Sequence, residues 1–301
     1  MLEIKDLHPL AIWTYWLWAN RYESQSEEDV FFDDSRDMES LMYQYKNWQN
    51  YIETSFIYAW GKTMEFLWKF FKKIPREHIY ISVKIENLVE KPEDIEQQLD
   101  KYMGIMWLDF VDEYKMHAPT VSILWVNETY YYMKKLVEKW KVRYLWVCNL
   151  SLDQLKSMYN EFEIKTFEWL YNLECKINED VWIIKYCQDN NIRFVCYQPL
   201  RRNRIASHNY PFLVDLAKKY SKTQNQIMLN RIVQSKRLWA LVKTSNSNNA
   251  KENLDALNFT LEEKDINTLN SFRDERFDKI KIDRDSNKAW IPIRKYANQI
   301  E

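Results

Sequence analysis

Hydrophobic and polar positions along this chain follow two alternating rhythms. Short apolar runs read as strands: PLAI (9–12), YIETS (51–55), HIYISVKI (78–85), LDFVDEYKMH (108–117), KVRYLWV (141–147), EIKTFE (163–168), NIRFVCYQPL (191–200) and LWALVKT (238–244). Between them lie segments whose apolar residues recur three and four apart, the period of an amphipathic helix. These are KTMEFLWKFFKK (62–73), PEDIEQQLDKYM (92–103), NETYYYMKKLVEK (127–139), SLDQLKSMYNEF (151–162), NEDVWIIKYCQDN (178–190), NQIMLNRIVQ (225–234) and NNAKENLDAL (248–257). The acidic stretch 25–47 reads as a further helix with a solvated face. About eight strand–helix units with no internal linker predict a (β/α)8 TIM barrel over residues 1–272, followed by a polar, weakly patterned tail, 273–301. A doubly wound sheet is the alternative, but it usually has fewer strands.

Composition narrows the function classes. The formal net charge of −1, with signs mixed throughout, makes no electrostatic case for nucleic acid or an anionic membrane. No apolar run reaches the ~18 residues of a membrane span. The N-terminus has no signal-peptide pattern, and the four cysteines, Cys148, Cys175, Cys187 and Cys196, have no CxxC spacing, so reduced thiols in a cytoplasm are expected. WGKT (60–63) lacks the first glycine of a phosphate-binding loop, because Phe56 stands there, and no GxGxxG occurs.

One feature is anomalous. The chain has 14 Trp and 2 Gly in 301 residues. Ordinary usage, about 7% glycine, would supply roughly twenty. Trp140, after VEK, stands where a helix would end, and helices commonly end on glycine.

Barrel enzymes place their chemistry at the C-terminal ends of strands. Those ends supply Glu53 with Tyr58, then Lys84, His117, Asn149, Tyr197 and Lys243. Alone, each reads as a surface charge or a satisfied polar group. An acid, a phenol, a cation and an imidazole on consecutive strand ends suggest a catalytic set. A metal-dependent hydrolase on the same barrel would need an HxH or other ligand cluster, which the sequence lacks, so no metal is expected.

At these residues the chain resembles the aldo-keto reductases. YIETSFIYAWGKTMEFLWKFFK is similar to that family's D-T-A-x-x-Y-G-x-G-x-x-E-x-x-L-G, and REHIYISVK to R-E-x-x-x-I-x-T-K. LDFVDEYKMHAP resembles L-D-Y-x-D-L-Y-x-x-H-x-P, and VEKWKVRYLWVCNLS resembles V-x-x-G-K-V-R-Y-I-G-V-S-N-F-S. VCYQPL is similar to A-Y-S-P-L, and VKTSNSNNAKENLDAL to the family's K-S…R-x-x-E-N. The resemblance runs in order from about residue 9 to 272.

The resemblance implies reduction of an aldehyde or ketone with hydride from NAD(P)H. Tyr58 would give the proton, Lys84 would lower the phenol's pKa, His117 would orient the substrate oxygen, and Glu53, where the family has Asp, would pair with Lys84. It also implies a cofactor set. Tyr197 would stack on the nicotinamide; Asn149 and Glu168 (family Gln) would hold its carboxamide; Cys148 stands for the family's Ser. Leu200 and the Arg201–Arg202 pair lie on the pyrophosphate path, with Thr14 and Gln198 also in the set. Lys243, Thr244 and Ser245 would meet the adenosine end, with Glu252 and Asn253 on the adenine. Asn249 replaces the arginine usual for a 2′-phosphate, so selectivity should be modest; Lys243 and the adjoining hydroxyls favour NADP(H) over NAD(H). The implied partner is a small carbonyl compound. The alternative is a cofactor-binding regulatory subunit of the same fold with little turnover, which would have no need to keep Tyr58, Lys84 and His117 together.

The resemblance places Trp13, Trp48, Trp60, Trp68, Trp140, Trp146 and Trp239 where the family has glycine. The codon UGA is read as tryptophan in some genetic codes and as glycine in others. The expectation is that most tryptophan letters here stand for glycine in the cell's own protein.

Overall fold

The computed structural model describes residues 1–15, 34–85, 91, 93–116 and 123–278. Eight parallel strands close into a barrel in sequence order: β1 (Leu10–Trp13), β2 (Tyr51–Ser55), β3 (Tyr80–Ile85), β4 (Val111–Met116), β5 (Val142–Cys148), β6 (Thr166–Leu170), β7 (Arg193–Tyr197) and β8 (Leu238–Val242). The intervening helices are α1 (Asp34–Lys46), α2 (Lys62–Phe71), α3 (Asp94–Met106), α4 (Ile123–Glu138), α5 (Leu152–Glu161), α6 (Ile177–Asp180), α7 (Ile183–Asp189), α8 (Arg204–Ser207), α9 (Pro211–Tyr220), α10 (Gln224–Gln234), α11 (Ser247–Asp255) and α12 (Glu263–Ser271). The TIM barrel expected from the alternating pattern is the observed fold.

By internal packing the chain forms two compact units. The first comprises Met1–Cys148, Glu161–Ile164 and Lys243–Lys251, and holds β1 to β5. Its strand registers set side chains in rows: Ser55 pairs with Lys84, Lys84 with Lys115, and Lys115 with Trp146. Register partners in adjacent parallel strands point to the same side of the sheet, so this row sets two lysines side by side. Both are buried, and Lys115 Nζ lies 3.1 Å from the centre of the Trp146 ring.

The second unit comprises Asn149–Asn160, Lys165–Val242 and Glu252–Glu301. Its apolar core joins Leu213 and Leu216 of α9, Ile227 and Met228 of α10, and Leu269 of α12 with Leu173, Ile205 and Leu261. A capping box starts α10: Thr223 Oγ1 accepts from Gln226 N at 3.2 Å, and Gln226 Oε1 accepts from Thr223 N at 2.8 Å. Lys176 Nζ closes the C-terminal end of α12, donating to the carbonyls of Leu269, Asn270 and Phe272 at 2.6–3.0 Å.

The helix ends carry the anomaly of composition. Gln49 N donates to Gln44 O and Trp48 N to Tyr45 O; Leu108 N donates to Met103 O and Trp107 N to Gly104 O; Lys141 N donates to Leu136 O and Trp140 N to Val137 O. Each pair is a Schellman closure, whose turning residue takes positive φ and is ordinarily glycine. Here that residue is Trp48 (φ 65°), Trp107 (φ 54°) or Trp140 (φ 60°). Trp60 (φ 52°) and Trp182 (φ 65°) are also left-handed. The single helix expected over 178–190 is in fact two, α6 and α7, divided at Trp182. Of the other tryptophans expected at glycine positions, Trp13, Trp146 and Trp239 lie in strands and Trp68 in α2, where the backbone makes no demand for glycine.

Candidate active site

In the first unit, β2 and β3 deliver Glu53 and Lys84 side by side. Lys84 Nζ lies 2.9 Å from Glu53 Oε1. The turn after β2 brings Tyr58 onto the pair: its hydroxyl donates to Glu53 Oε1 at 3.2 Å and accepts from Lys84 Nζ at 3.1 Å. Glu53 is fully buried, Tyr58 is 2% exposed and Lys84 4%. The turn itself is left-handed at three successive residues, Ala59, Trp60 and Gly61. At Gly61 (φ 88°) a Cβ would come within 2.6 Å of the Phe56 ring, so only glycine fits. Thr14 fixes the neighbouring strand end by donating its backbone N–H (3.1 Å) and its hydroxyl (2.9 Å) to Glu53 O.

Burial pushes the Tyr58 phenol well above its ordinary value, and the charge of Glu53 adds to that push. Lys84 works in the opposite direction, as expected from the sequence, but does not prevail. The expectation of a lowered Tyr58 pKa is therefore corrected: the resting group is a neutral phenol. It suits donation to a forming alkoxide, since a strongly basic oxygen takes a proton from a weak acid.

Two neighbours of Tyr58 were not anticipated. Trp13 Nε1 donates to its hydroxyl at 3.0 Å, and Tyr15 stacks on Trp13 at 4.7 Å while meeting Tyr58 edge-on at 5.0 Å. The reading of position 13 as glycine hid this contact. His117 lies outside the described residues.

The same unit carries the residues expected at the adenosine end. Lys243 Nζ donates to Ser245 Oγ at 2.9 Å. Thr244 is buried, and its hydroxyl accepts from Asn246 N at 3.0 Å and donates to Asn246 O at 3.1 Å. Asn246 Oδ1 accepts from the backbone N–H groups of Asn248 and Asn249 at the start of α11, and Asn249 is exposed. Cys148 is buried, with its thiol donating to Met116 O at 2.7 Å.

The second unit holds the residues expected at the nicotinamide. Asn149 is buried and left-handed (φ 55°); its backbone N–H donates to Glu168 O at 3.0 Å, and its side-chain Oδ1 accepts from the Tyr197 hydroxyl at 3.1 Å. Tyr197 and Leu200 are half-buried, and Glu168 is buried. Gln198 is left-handed, and its carbonyl accepts from Asn172 Nδ2 and Arg201 N. The Arg201–Arg202 pair divides. Arg201 is buried against Glu174, with Nη1 to Oε2 at 2.7 Å, and only Arg202 is exposed. Glu252 accepts from the Thr223 hydroxyl at 2.7 Å through Oε1 and from Gln226 Nε2 at 3.1 Å through its backbone carbonyl; Asn253 is largely buried. Among the described residues no group of three or more His, Cys, Asp or Glu is placed to hold a metal ion, and no helix is long and apolar enough to cross a membrane.

The model of the aldo/keto reductase family matches residues 17–274. The chain belongs to the aldo/keto reductase family. Its relatives in this family are named as oxidoreductases, among them the uncharacterized oxidoreductase YtbE of Bacillus subtilis, 23% identical over 67% of this chain and 70% of that protein. Aldo-keto reductase family 1 member A1 of Sus scrofa is 25% identical over 66% of this chain and 69% of its own length. A thermostable aldo-keto reductase, Tm1743, solved with the inhibitor epalrestat, superposes with a TM-score of 0.76 at 25% identity, covering 88% of this chain and 95% of the other. The Klebsiella pneumoniae aldo-keto reductase solved with NADPH has the same fold, with a TM-score of 0.76 at 18% identity over 88% of this chain and 90% of that one.

Proposed function

We propose that this oxidoreductase reduces the carbonyl of a small aldehyde or ketone with a nicotinamide cofactor. The observation that carries the reading is the buried cluster in which the Tyr58 hydroxyl is bonded to both Lys84 and Glu53. The cofactor, when bound, supplies hydride to the carbonyl carbon. Tyr58 then delivers its phenolic proton to the developing alkoxide. Lys84 stabilises the phenolate left behind and can return a proton to it, while Glu53 holds the ammonium in place. His117, next after β4, is assigned to orienting the substrate oxygen.

The donor set suits the cofactor. The amide of Asn149, fixed by Tyr197 and by the backbone of Glu168, matches a carboxamide, which both donates and accepts hydrogen bonds. The Tyr197 ring offers a stacking face. Lys243 and Ser245 suit the adenosine end, and NADP(H) is favoured over NAD(H) on the charge of Lys243. The Klebsiella pneumoniae neighbour solved with NADPH agrees with that choice. The test is the loss of NADPH absorbance with a panel of aldehydes and ketones, for a version with glycine at positions 13, 48, 60, 107, 140, 146 and 182 and for Tyr58→Phe in that version. Turnover in the parent and its collapse in the variant support the assignment; equal turnover in both overturns it. Cofactor binding with no turnover on any carbonyl would favour a regulatory subunit.

We also propose that the cell's own protein carries glycine at most of the tryptophan positions, through UGA decoding. Three observations support this. Five tryptophans hold left-handed backbone, and Trp48, Trp107, Trp140 and Trp182 leave their rings 64–86% exposed, with little packing to offset the strain. The buried indole N–H groups of Trp68, Trp146 and Trp169 have no hydrogen-bond partner. Trp13 occupies the hydroxyl of Tyr58 that a substrate must reach. The intact mass of protein isolated from its own cells decides the question: a mass matching 14 tryptophans refutes the proposal.

A further inference from the structure

Helix α1 packs its polar face along the residues that follow β8. Ser40 Oγ donates to Thr244 O at 3.2 Å, and Gln44 Nε2 donates to Ser40 O and Ser40 Oγ at 3.2 and 3.3 Å, holding Ser40 in place. Further on, Ser247 Oγ donates to Glu39 Oε1 at 3.0 Å. Asp37 stands one turn before Ser40, and residues three apart share a helix face. It is fully buried. Its charge is felt at Lys243: burial lowers the affinity of that lysine for its proton, while Asp37 raises it and Arg36 opposes. The segment Lys243–Ser247 therefore lies beside two carboxylates of α1: Glu39 bonds Ser247, and the charge of Asp37, opposed by the smaller effect of Arg36, acts on Lys243.

We infer that these two carboxylates of α1 set the cofactor selectivity of the enzyme. The inference rests on the nicotinamide reading and on Lys243 meeting the adenosine end. NADPH differs from NADH there by a 2′-phosphate carrying a charge of about −1.5 to −2 at neutral pH. Lys243 attracts that phosphate. Asp37 and Glu39 repel it and offset the lysine, against the smaller pull of Arg36, and Asn249 brings an amide where a guanidinium would add attraction. NADH presents uncharged hydroxyls and is nearly indifferent to the balance. The carboxylates thus draw the two affinities together, making an enzyme that accepts both cofactors.

Calorimetric titration with NADPH and NADH tests this on the chain as written and on a version with glycine at positions 13, 48, 60, 107, 140, 146 and 182, each compared with Asp37→Asn and Glu39→Gln. Asp37→Asn is expected to tighten NADPH about tenfold and to move NADH less than twofold. Glu39 is exposed, so Glu39→Gln preserves the fold and is expected to shift NADPH in the same direction about threefold, with the shift shrinking as salt is raised. Unchanged NADPH affinity in Glu39→Gln, or equal shifts for both cofactors in either variant, overturns the selectivity role. If neither parent version binds either cofactor, the nicotinamide reading itself falls.

Discussion

Lys84 Nζ meets Glu53 Oε1 at 2.9 Å while donating to the Tyr58 hydroxyl at 3.1 Å, so one buried ammonium serves both a carboxylate and a phenol. Glu53 bonds the same hydroxyl. A three-way contact of this kind makes each member depend on the other two, and substitutions can separate their roles.

Tyr58→Phe removes the proton donor and leaves the ring in place. Turnover of a carbonyl substrate should fall by at least ~10²-fold, with cofactor affinity unchanged. Steady-state kinetics beside a binding isotherm reads both quantities. A variant of full activity would exclude Tyr58 as the acid.

Glu53→Gln takes the counter-charge from a buried lysine. Leaving a buried charge without its opposite typically costs about 3–5 kcal/mol, so denaturant unfolding should show a large loss of stability. Glu53→Asp keeps the charge and should recover most of that loss. Equal stability of the two variants would show that the 2.9 Å contact contributes nothing.

The raised proton affinity of Tyr58 sets the direction of the pH response. Its pKa lies above the ordinary phenol value of 10.0, so the proton-bearing form that reduction requires persists through neutral and mildly alkaline pH. Reduction should not decline between about pH 7 and pH 9 through loss of this proton. Alcohol oxidation needs the phenolate and should rise with pH over the same range. A reduction rate halved by pH 8, with oxidation flat, would contradict the assignment.

Trp140→Gly relieves left-handed backbone at a position where the ring is 86% exposed. Relief of about 1–2 kcal/mol is expected, and Trp48→Gly should behave alike. Thermal melts of the single and double variants check this, with near-additive gains expected because the two sites lie at different helix ends. Destabilisation by both substitutions would mean that the rings contribute more than the backbone strain they impose.

Much of the barrel is written in the chain's periodicity. YIETS coincides with β2, and each of the eight apolar runs overlaps a strand, although β1, β5 and β6 extend one or two residues beyond theirs. Helices α9 and α12 lie in stretches where the sequence pattern predicts no helix, and α6 and α7 occupy the span where it predicts one. That division turns on the φ of Trp182, a backbone angle that helical periodicity does not report. At the site, strand-end positions pointed to Glu53, Tyr58 and Lys84, because a parallel barrel sends consecutive strand ends to one rim. What the sequence conceals is which partner a charged side chain chooses. Arg201 turns to Glu174, away from the role suggested by its neighbour Arg202. Asp37 acts on Lys243 only because α1 packs along the segment that follows β8. Both outcomes depend on tertiary placement across many intervening residues.

The capping tryptophans also govern how this protein emits light. Trp48, Trp107, Trp140 and Trp182 hold their indoles largely in water, where the excited ring relaxes to longer wavelength, whereas Trp146 lies fully buried beneath a lysine ammonium. If these positions are UGA codons, as proposed, chain made where UGA means tryptophan would glow strongly at the red edge of the indole band. Chain made where the codon means glycine would lose those emitters and be comparatively dark. On the proposed glycine reading, the emission colour of a purified sample would report which genetic code translated it.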